Sequence, residues 1–125
     1  MSKFSERELA YLCSEERRLA RIATVGQDGM PHVVPTGWSY NAELDTIDVG
    51  GSNLAATKKV RDIRRTGKVA LVVDDVLPPW RPRCVEIRGR GEIVEQQGGL
   101  LIRIHPTRIV SWGLEPADNG VRTGG

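Results

Sequence analysis

A chain of 125 residues with 39% apolar and 27% charged side chains has the size and balance of one globular domain. Its formal net charge of +2 is too small to argue for nucleic acid or an anionic membrane as a partner. No apolar run approaches the roughly 20 residues of a membrane-spanning helix, and the first eight residues lack the basic-then-apolar order of a secretory signal, so a cytoplasmic protein is expected. Two cysteines, Cys13 and Cys84, and two histidines, His32 and His105, match neither a disulfide framework nor a metal-ligand spacing, and no metal is expected.

Ser5 followed by Glu8 has capping-box spacing, and Leu9 and Leu12 give a short first helix its apolar side. Arg18 to Val25 suits a strand, and Gly26-Gln-Asp-Gly29 supplies hairpin-turn chemistry. The next strand is expected over about Met30 to Tyr40, with Pro31 and Pro35 marking an edge or a bulge. Asn41 to Asp45 reads as a polar turn and Thr46 to Gly50 as a third strand. Gly50-Gly-Ser-Asn53 then opens a helix, capped by Ser52 or Asn53, with Ala56, Val60 and Ile63 on one face and Gly67 at its end. Val69 to Val73 is short enough for a buried strand, and Val76 to Pro82 is a proline-rich loop. Arg83 to Val94 alternates Val85, Ile87, Gly89 and Gly91 against charged residues. After a turn over Gln96 to Gly99, Leu100 to Trp112 gives a last strand bent at Pro106. Pro116 to Gly125 is expected to be a loose tail. About six hairpin-linked strands with two helices predict a mainly β, antiparallel sheet closed as a barrel, in a single domain spanning the chain.

The densest charge, Lys58, Lys59, Arg61, Arg64, Arg65 and Lys68 against a lone Asp62, falls on the second helix. A charge run is commonly a solvated helix face. Lys58 and Lys59, however, lie in the first turns, where the helix dipole disfavours cations and where backbone amides suit a phosphate. The reading is an anionic ligand bound over Gly51 to Lys59. Neither a Walker loop nor the Rossmann glycine pattern is present. No nucleophile–base pair is evident: His32 and His105 read as packed or surface histidines, and Cys13 and Cys84 as core fillers. If the protein is an enzyme, a bound cofactor carries the reaction and no side chain is assigned a catalytic role. Of three tryptophans, Trp38, Trp80 and Trp112, the second is held by Pro79 and Pro82 in an extended loop. A buried ring is hard to arrange there, so Trp80 is expected to cover a partner subunit or a planar ligand.

The order of Gly29-Met-Pro-His-Val-Val-Pro35, Asn53-Leu-Ala-Ala-Thr-Lys-Lys59 and Lys68-Val-Ala-Leu-Val-Val73 resembles the pyridoxamine 5′-phosphate oxidase-like split-barrel superfamily. Pro79-Trp-Arg-Pro-Arg83, Val85-Glu-Ile-Arg-Gly-Arg90 and Arg108-Ile-Val-Ser-Trp-Gly113 look like its actinobacterial branch that uses coenzyme F420. The resemblance runs from about Leu9 to Glu115. It implies a six-stranded antiparallel split barrel, a homodimer, and two cofactor sites at the subunit interface. Val34, Pro35 and Thr36 would line the tricyclic ring with backbone groups, and Lys58 and Lys59 would hold the cofactor phosphate. Gly51, Ser52 and Thr57 would add donors, while Trp80, Arg81, Arg83 and Trp112 of the other subunit would contact the ring or substrate. The chain departs from the pattern at Gln96-Gln-Gly-Gly99, a short turn where many relatives carry a helix or longer loop.

The function this implies is hydride transfer from reduced F420 to an unsaturated small molecule. A cofactor tail of several glutamates would suit the surplus cations Lys58, Arg61 and Arg65. FMN, which lacks that tail, would fit the same phosphate seat, and a carrier that binds cofactor without turnover would equally lack a catalytic side chain. A nucleic-acid-binding barrel is disfavoured because the aromatics are not interleaved with basic residues along a strand.

Overall fold

The computed structural model describes residues 1–51 and 53–114; Ser52 and the expected tail lie outside them. Helix α1 spans Glu6–Leu12, and both halves of its capping box form: the Ser5 hydroxyl accepts from the Glu8 amide and the Glu8 carboxylate from the Ser5 amide. Glu8 is fully buried, and its second oxygen accepts from the Ser111 hydroxyl at 2.5 Å. One carboxylate thereby starts the helix and ties it to the last strand. Cys13 falls just past Leu12 and is exposed, contrary to its expected core position, because the helix ends before its apolar face reaches that residue.

Seven strands follow: β1 Ala20–Val25, β2 Pro31–Thr36, β3 Ser39–Asn41, β4 Thr46–Val49, β5 Lys68–Leu77, β6 Arg81–Gln96 and β7 Gly99–Trp112. The stretch expected as one strand from Met30 to Tyr40 is two, interrupted at Gly37 and Trp38, which accounts for the seventh strand. All pair antiparallel in one sheet of order β2-β1-β5-β6-β7-β4-β3. The order is linear, with β2 and β3 at its two ends, rather than a closed ring. Pro31 and Pro35 sit on the edge strand β2, where a missing amide costs least.

Side chains alternate between two faces. The inward face gathers Ile22, Leu71, Val73, Val85, Ile87, Ile102 and Ile104, each at most 1% exposed, into one core. Pairing of β5 with β6 continues to Leu77 opposite Arg81, so the expected loop shrinks to a turn at Pro78–Trp80. A β-bulge faces Arg88 and Gly89, and bends β7 at the expected place. A β-carbon on Gly89 would stand 2.2 Å from the His105 carbonyl oxygen, so the close approach of these two strands requires glycine.

Helix α2 spans Lys58–Thr66, after a single 3₁₀ turn at Leu54–Ala56. It begins later than expected because Asn53, in the left-handed conformation and without a side-chain cap bond, stands ahead of the short turn, and Thr57 takes the N-cap position of α2. Val60 and Ile63 are buried, and each such side chain contributes roughly 1.5–3 kcal/mol of transfer free energy. Gly67, at φ 71°, ends the helix in a left-handed C-cap and leads directly into β5.

Candidate cofactor site

The basic start of α2 packs against the far end of the β1–β2 hairpin. Lys58 Nζ lies 3.1 Å from where a β-carbon on Gly26 would stand, and 3.4 Å from Asp62 Oδ1. Arg65 donates to the Val25 carbonyl and lies 3.9 Å from the same Asp62 oxygen. Asp62 itself is buried and accepts from the Thr24 hydroxyl at 2.8 Å. Burial pushes the Asp62 carboxyl up, but the Thr24 hydrogen bond and the two cations outweigh it and hold the group below its ordinary range. A buried acid therefore braces two cations at one end of the sheet. Its role was concealed in the sequence by the charge run, although an acid four residues after Lys58 and three before Arg65 is the helical pairing pattern.

The two helices start differently. Ser5 caps α1, whereas Thr57, which precedes α2, makes no side-chain cap bond; its hydroxyl donates instead to the Leu54 carbonyl at 2.7 Å. The first intrahelical bond of α2 is Arg61 to Thr57, at 3.4 Å. Amides of Lys58, Lys59 and Val60 are thus left without a side-chain cap, beside two lysines. This donor set fits a phosphate. Gly51 lies at the exit of β4, just ahead of the 3₁₀ turn; Ser52 falls outside the described residues.

Val34 and Thr36 stand opposite Ile22 and Ala20 and share the inward face with them; Pro35 faces outward with Val33. The Gly26 amide bonds the Met30 carbonyl at 2.9 Å, which sets the alternation of the hairpin. By that alternation the amides of Val34 and Thr36 turn toward β1, and Pro35 has none. What β2 offers along its free edge is the carbonyls of Pro31, Val33 and Pro35 and the single amide of Val33.

Trp80 and Trp112 are at the other end. Trp80, 75% exposed as its flanking prolines suggested, tips the β5–β6 turn beside the exposed Arg81. Thr24, which marks the Lys58 end, pairs with Val69, and Leu77 is eight residues further along β5. At 3.3 Å per residue that separates the two ends by about 26 Å. Trp112 pairs with Cys84 and Cys84 with Asp74, about 16 Å along the same strand from Val69. The chain brings Gly51, Thr57, Lys58 and Lys59 toward one region and keeps Trp80, Arg81 and Trp112 away from it.

Arg83 is occupied. Its guanidinium donates to both Asp75 oxygens, at 2.7 and 3.0 Å, and lies 4.9 Å from the centre of the Tyr11 ring. Arg18 approaches that ring at 4.1 Å and donates to Asp75 as well, at 2.9 Å, and Tyr11 adds its hydroxyl at 3.0 Å. Arg83 above all, helped by Arg18 and Tyr11 against the effect of burial, holds the Asp75 carboxyl well below the usual carboxylate range. Burial first, and the bond to Asp75 second, push the Tyr11 phenol far above its ordinary value. Nothing in the spacing of Tyr11, Arg18, Asp75 and Arg83 signals this cluster, which the hairpin register assembles. Among the described residues no group of three or more His, Cys, Asp or Glu side chains is placed to hold a metal, and no helix is long and apolar enough to cross a membrane.

Residues 7–112 match the family model of pyridoxamine 5′-phosphate oxidase. The chain belongs to the pyridoxamine 5′-phosphate oxidase family. A curated relative, a 5a,11a-dehydrotetracycline/5a,11a-dehydrooxytetracycline reductase of Streptomyces rimosus, is 36% identical over 122 residues, covering 90% of this chain and 84% of the reductase. Among solved structures, a conserved hypothetical protein of Mycobacterium tuberculosis superimposes with a TM-score of 0.71 at 23% identity, covering 94% of this chain and 92% of that one. An F420 reductase superimposes with a TM-score of 0.61 at 21% identity, covering 80% and 94%. Both share the pyridoxamine 5′-phosphate oxidase-type fold, so the expected mainly β architecture with two helices holds, with one more strand and an open order.

Proposed function

We infer that this oxidoreductase is an F420-dependent reductase that transfers a hydride to an unsaturated small molecule. The observation that carries the reading is the start of α2, where amides without a side-chain cap lie in the turn that bears Lys58 and Lys59, and Lys58 reaches to Gly26. The likeness to the Streptomyces reductase supports a reductive reaction on a small-molecule substrate. Reduced F420, when bound, supplies the hydride. Lys58, Lys59 and the first amides of α2 would hold its phosphate, and the edge of β2 would flank its ring. No side-chain acid is needed if the proton comes from solvent, so the protein contributes orientation and exclusion of water.

Trp80 and Arg81, about 26 Å of strand from the Lys58 end, and Trp112, about 16 Å from it, would contact the ring from a second copy of the chain. Val33, Val76 and Trp112 are exposed apolar side chains, and strand alternation directs them to the outward face of the sheet, which suits a homodimer. FMN is the second reading, because the phosphate seat is common to both cofactors.

Titration with F420 and with FMN in parallel, followed by cofactor fluorescence, tests the reading. Tight binding of F420 alone, weakened more than about tenfold by Lys58→Ala with Lys59→Ala, is the expected result. Tight binding of FMN alone would change the electron donor. Unchanged affinity in the double variant would remove the phosphate seat.

A further inference from the structure

A cavity of about 510 Å³ opens at the end of the β1–β2 hairpin away from Lys58. The edge of β2 runs from Pro31, opposite Val25 at the Lys58 end, to Thr36, opposite Ala20, a distance of about 16 Å. Directly beyond Thr36, Gly37, Trp38 and Tyr40 form one wall of the cavity. Leu12, Arg17 and Leu19, from the end of α1 and the segment leading into β1, form the other. The Trp38 indole donates to the Arg18 carbonyl at 2.8 Å and so pins the two walls together.

The walls present mostly carbon. Trp38 spends its one polar atom on Arg18, and the Tyr40 hydroxyl is given to Asp45 at 2.6 Å, which leaves their rings as the surfaces on offer. Leu19 is 56% exposed at the cavity, an apolar side chain that the core does not take. Arg18 and Glu16 also line the space but are bonded to each other at 2.9 Å, and Arg18 donates further to Asp75 and Ser14. Arg17 is exposed and makes no ion pair or side-chain hydrogen bond among the described residues. Two rings, two leucines and one unspent cation suit a flat, conjugated molecule bearing an anionic oxygen. The volume falls within the roughly 300–1,000 Å³ of sites for small organic ligands.

We propose that this cavity binds the substrate, a flat conjugated molecule of fused rings that carries a carboxylate or an acidic enol, with Leu19, Trp38 and Tyr40 against its ring system and Arg17 at its anionic oxygen. The proposal rests on the reading of β2 as the strand that flanks the cofactor ring, and adds the class of substrate to it. A molecule seated by its phosphate at Lys58 and laid along the edge of β2 would end toward Thr36, at the mouth of the cavity. Lys58, at the far end of the hairpin, is too distant to serve as the cation for this ligand.

The probe is an anthracene carboxylate with the acid on a terminal ring, followed by its fluorescence beside the matching neutral anthracenemethanol. Wild type should bind the carboxylate about three- to fivefold tighter than the alcohol at low salt, and Arg17→Gln should bind the two alike. Gly37→Phe should weaken both by more than about tenfold, because its ring fills the cavity. No atom lies within 4 Å of a β-carbon placed on Gly37, and its φ is outside the left-handed region, so the fold accepts the side chain. Melting temperatures of both variants should stay within about 3 °C of wild type. Saturating F420 should tighten the probe about three- to tenfold through ring contact, and the probe should tighten F420 by the same factor. A wild type that binds neither probe, or a Gly37→Phe variant that binds both as wild type does, overturns the cavity as a binding site. A preference for the carboxylate that survives in Arg17→Gln overturns the role of Arg17. Probe binding in the cavity that is indifferent to bound F420 overturns its assignment to the substrate. Failure of wild type to bind F420, with the probe still bound and released by Gly37→Phe, overturns the F420 reading and not the cavity, and FMN then takes its place in the coupling measurement.

Discussion

Replacing Asp75 by Asn isolates the cluster that locks the first helix to the β5–β6 hairpin. The carboxylate accepts four bonds, two from Arg83 and one each from Arg18 and Tyr11. The Arg18 and Arg83 side chains are only 7% and 13% exposed, so the charges they leave behind are poorly solvated. Asn keeps one acceptor oxygen and points an NH₂ donor at guanidinium donors. Two charge-assisted bonds lost, at about 1.5 kcal/mol each, give about 3 kcal/mol. Partial exposure of Asp75 and the bonds Arg18 retains to Glu16, Ser14 and the Tyr11 carbonyl reduce this to about 2–3 kcal/mol. Urea unfolding at pH 7 should show the midpoint falling by roughly 2 M, with an unchanged slope. Because the folded carboxyl is held below its unfolded value, its contribution is complete above about pH 4 and fades as pH falls further. The gap between wild type and variant should therefore be equal at pH 7 and pH 5 and narrow below pH 4. A gap under about 0.5 kcal/mol at pH 7, or one constant through the acid range, would refute the reasoning.

Gly89→Ala drives a β-carbon into the His105 carbonyl and should cost about 3 kcal/mol, read as a fall of about 10 °C in Tm; a change within error would mean the two strands can part cheaply. Ser5→Ala removes half of the capping box and should lower stability by about 1 kcal/mol in urea, with an intact Glu8–Ser111 contact if the two halves act separately. Trp80→Ala should change stability by less than about 0.5 kcal/mol while weakening cofactor or substrate binding; large destabilisation with unaltered binding would return Trp80 to a structural role.

Signals confined to a few neighbouring residues were legible. Ser5 and Glu8 announced α1, Gly26 to Gly29 the first hairpin, Pro31 and Pro35 an edge strand, and Gly67 the end of α2. Each works through local backbone chemistry that tertiary contacts did not override. The start of α2 was misread because Asn53 can cap either kind of helix, and the 3₁₀ turn that consumes it has no distinct sequence mark. The break at Gly37 and Trp38 was hidden in a β-rich run, and there the Trp38 indole bonds the Arg18 carbonyl at 2.8 Å, a contact no local pattern encodes. In the candidate site, Lys58 and Lys59 stood out through their clash with the helix dipole. The buried role of Asp62 and the engagement of Arg83 by Asp75 depend on register and were not readable before the strands were aligned.

The linear strand order sets how the fold is assembled. β5, β6 and β7 form a meander joined by tight turns, so their contacts are local and close with little loss of chain entropy. The two outer hairpins join it late in the contact hierarchy: Ala20 meets Val73 and Ile47 meets Ile104, partners more than fifty residues apart. The β1–β2 hairpin, whose end receives Lys58 and Arg65, is one of these flanking pieces. Local opening that undocked it would dismantle the anion seat and spare the meander, so anything bound at Lys58 would also act as a clasp between the two parts of the sheet.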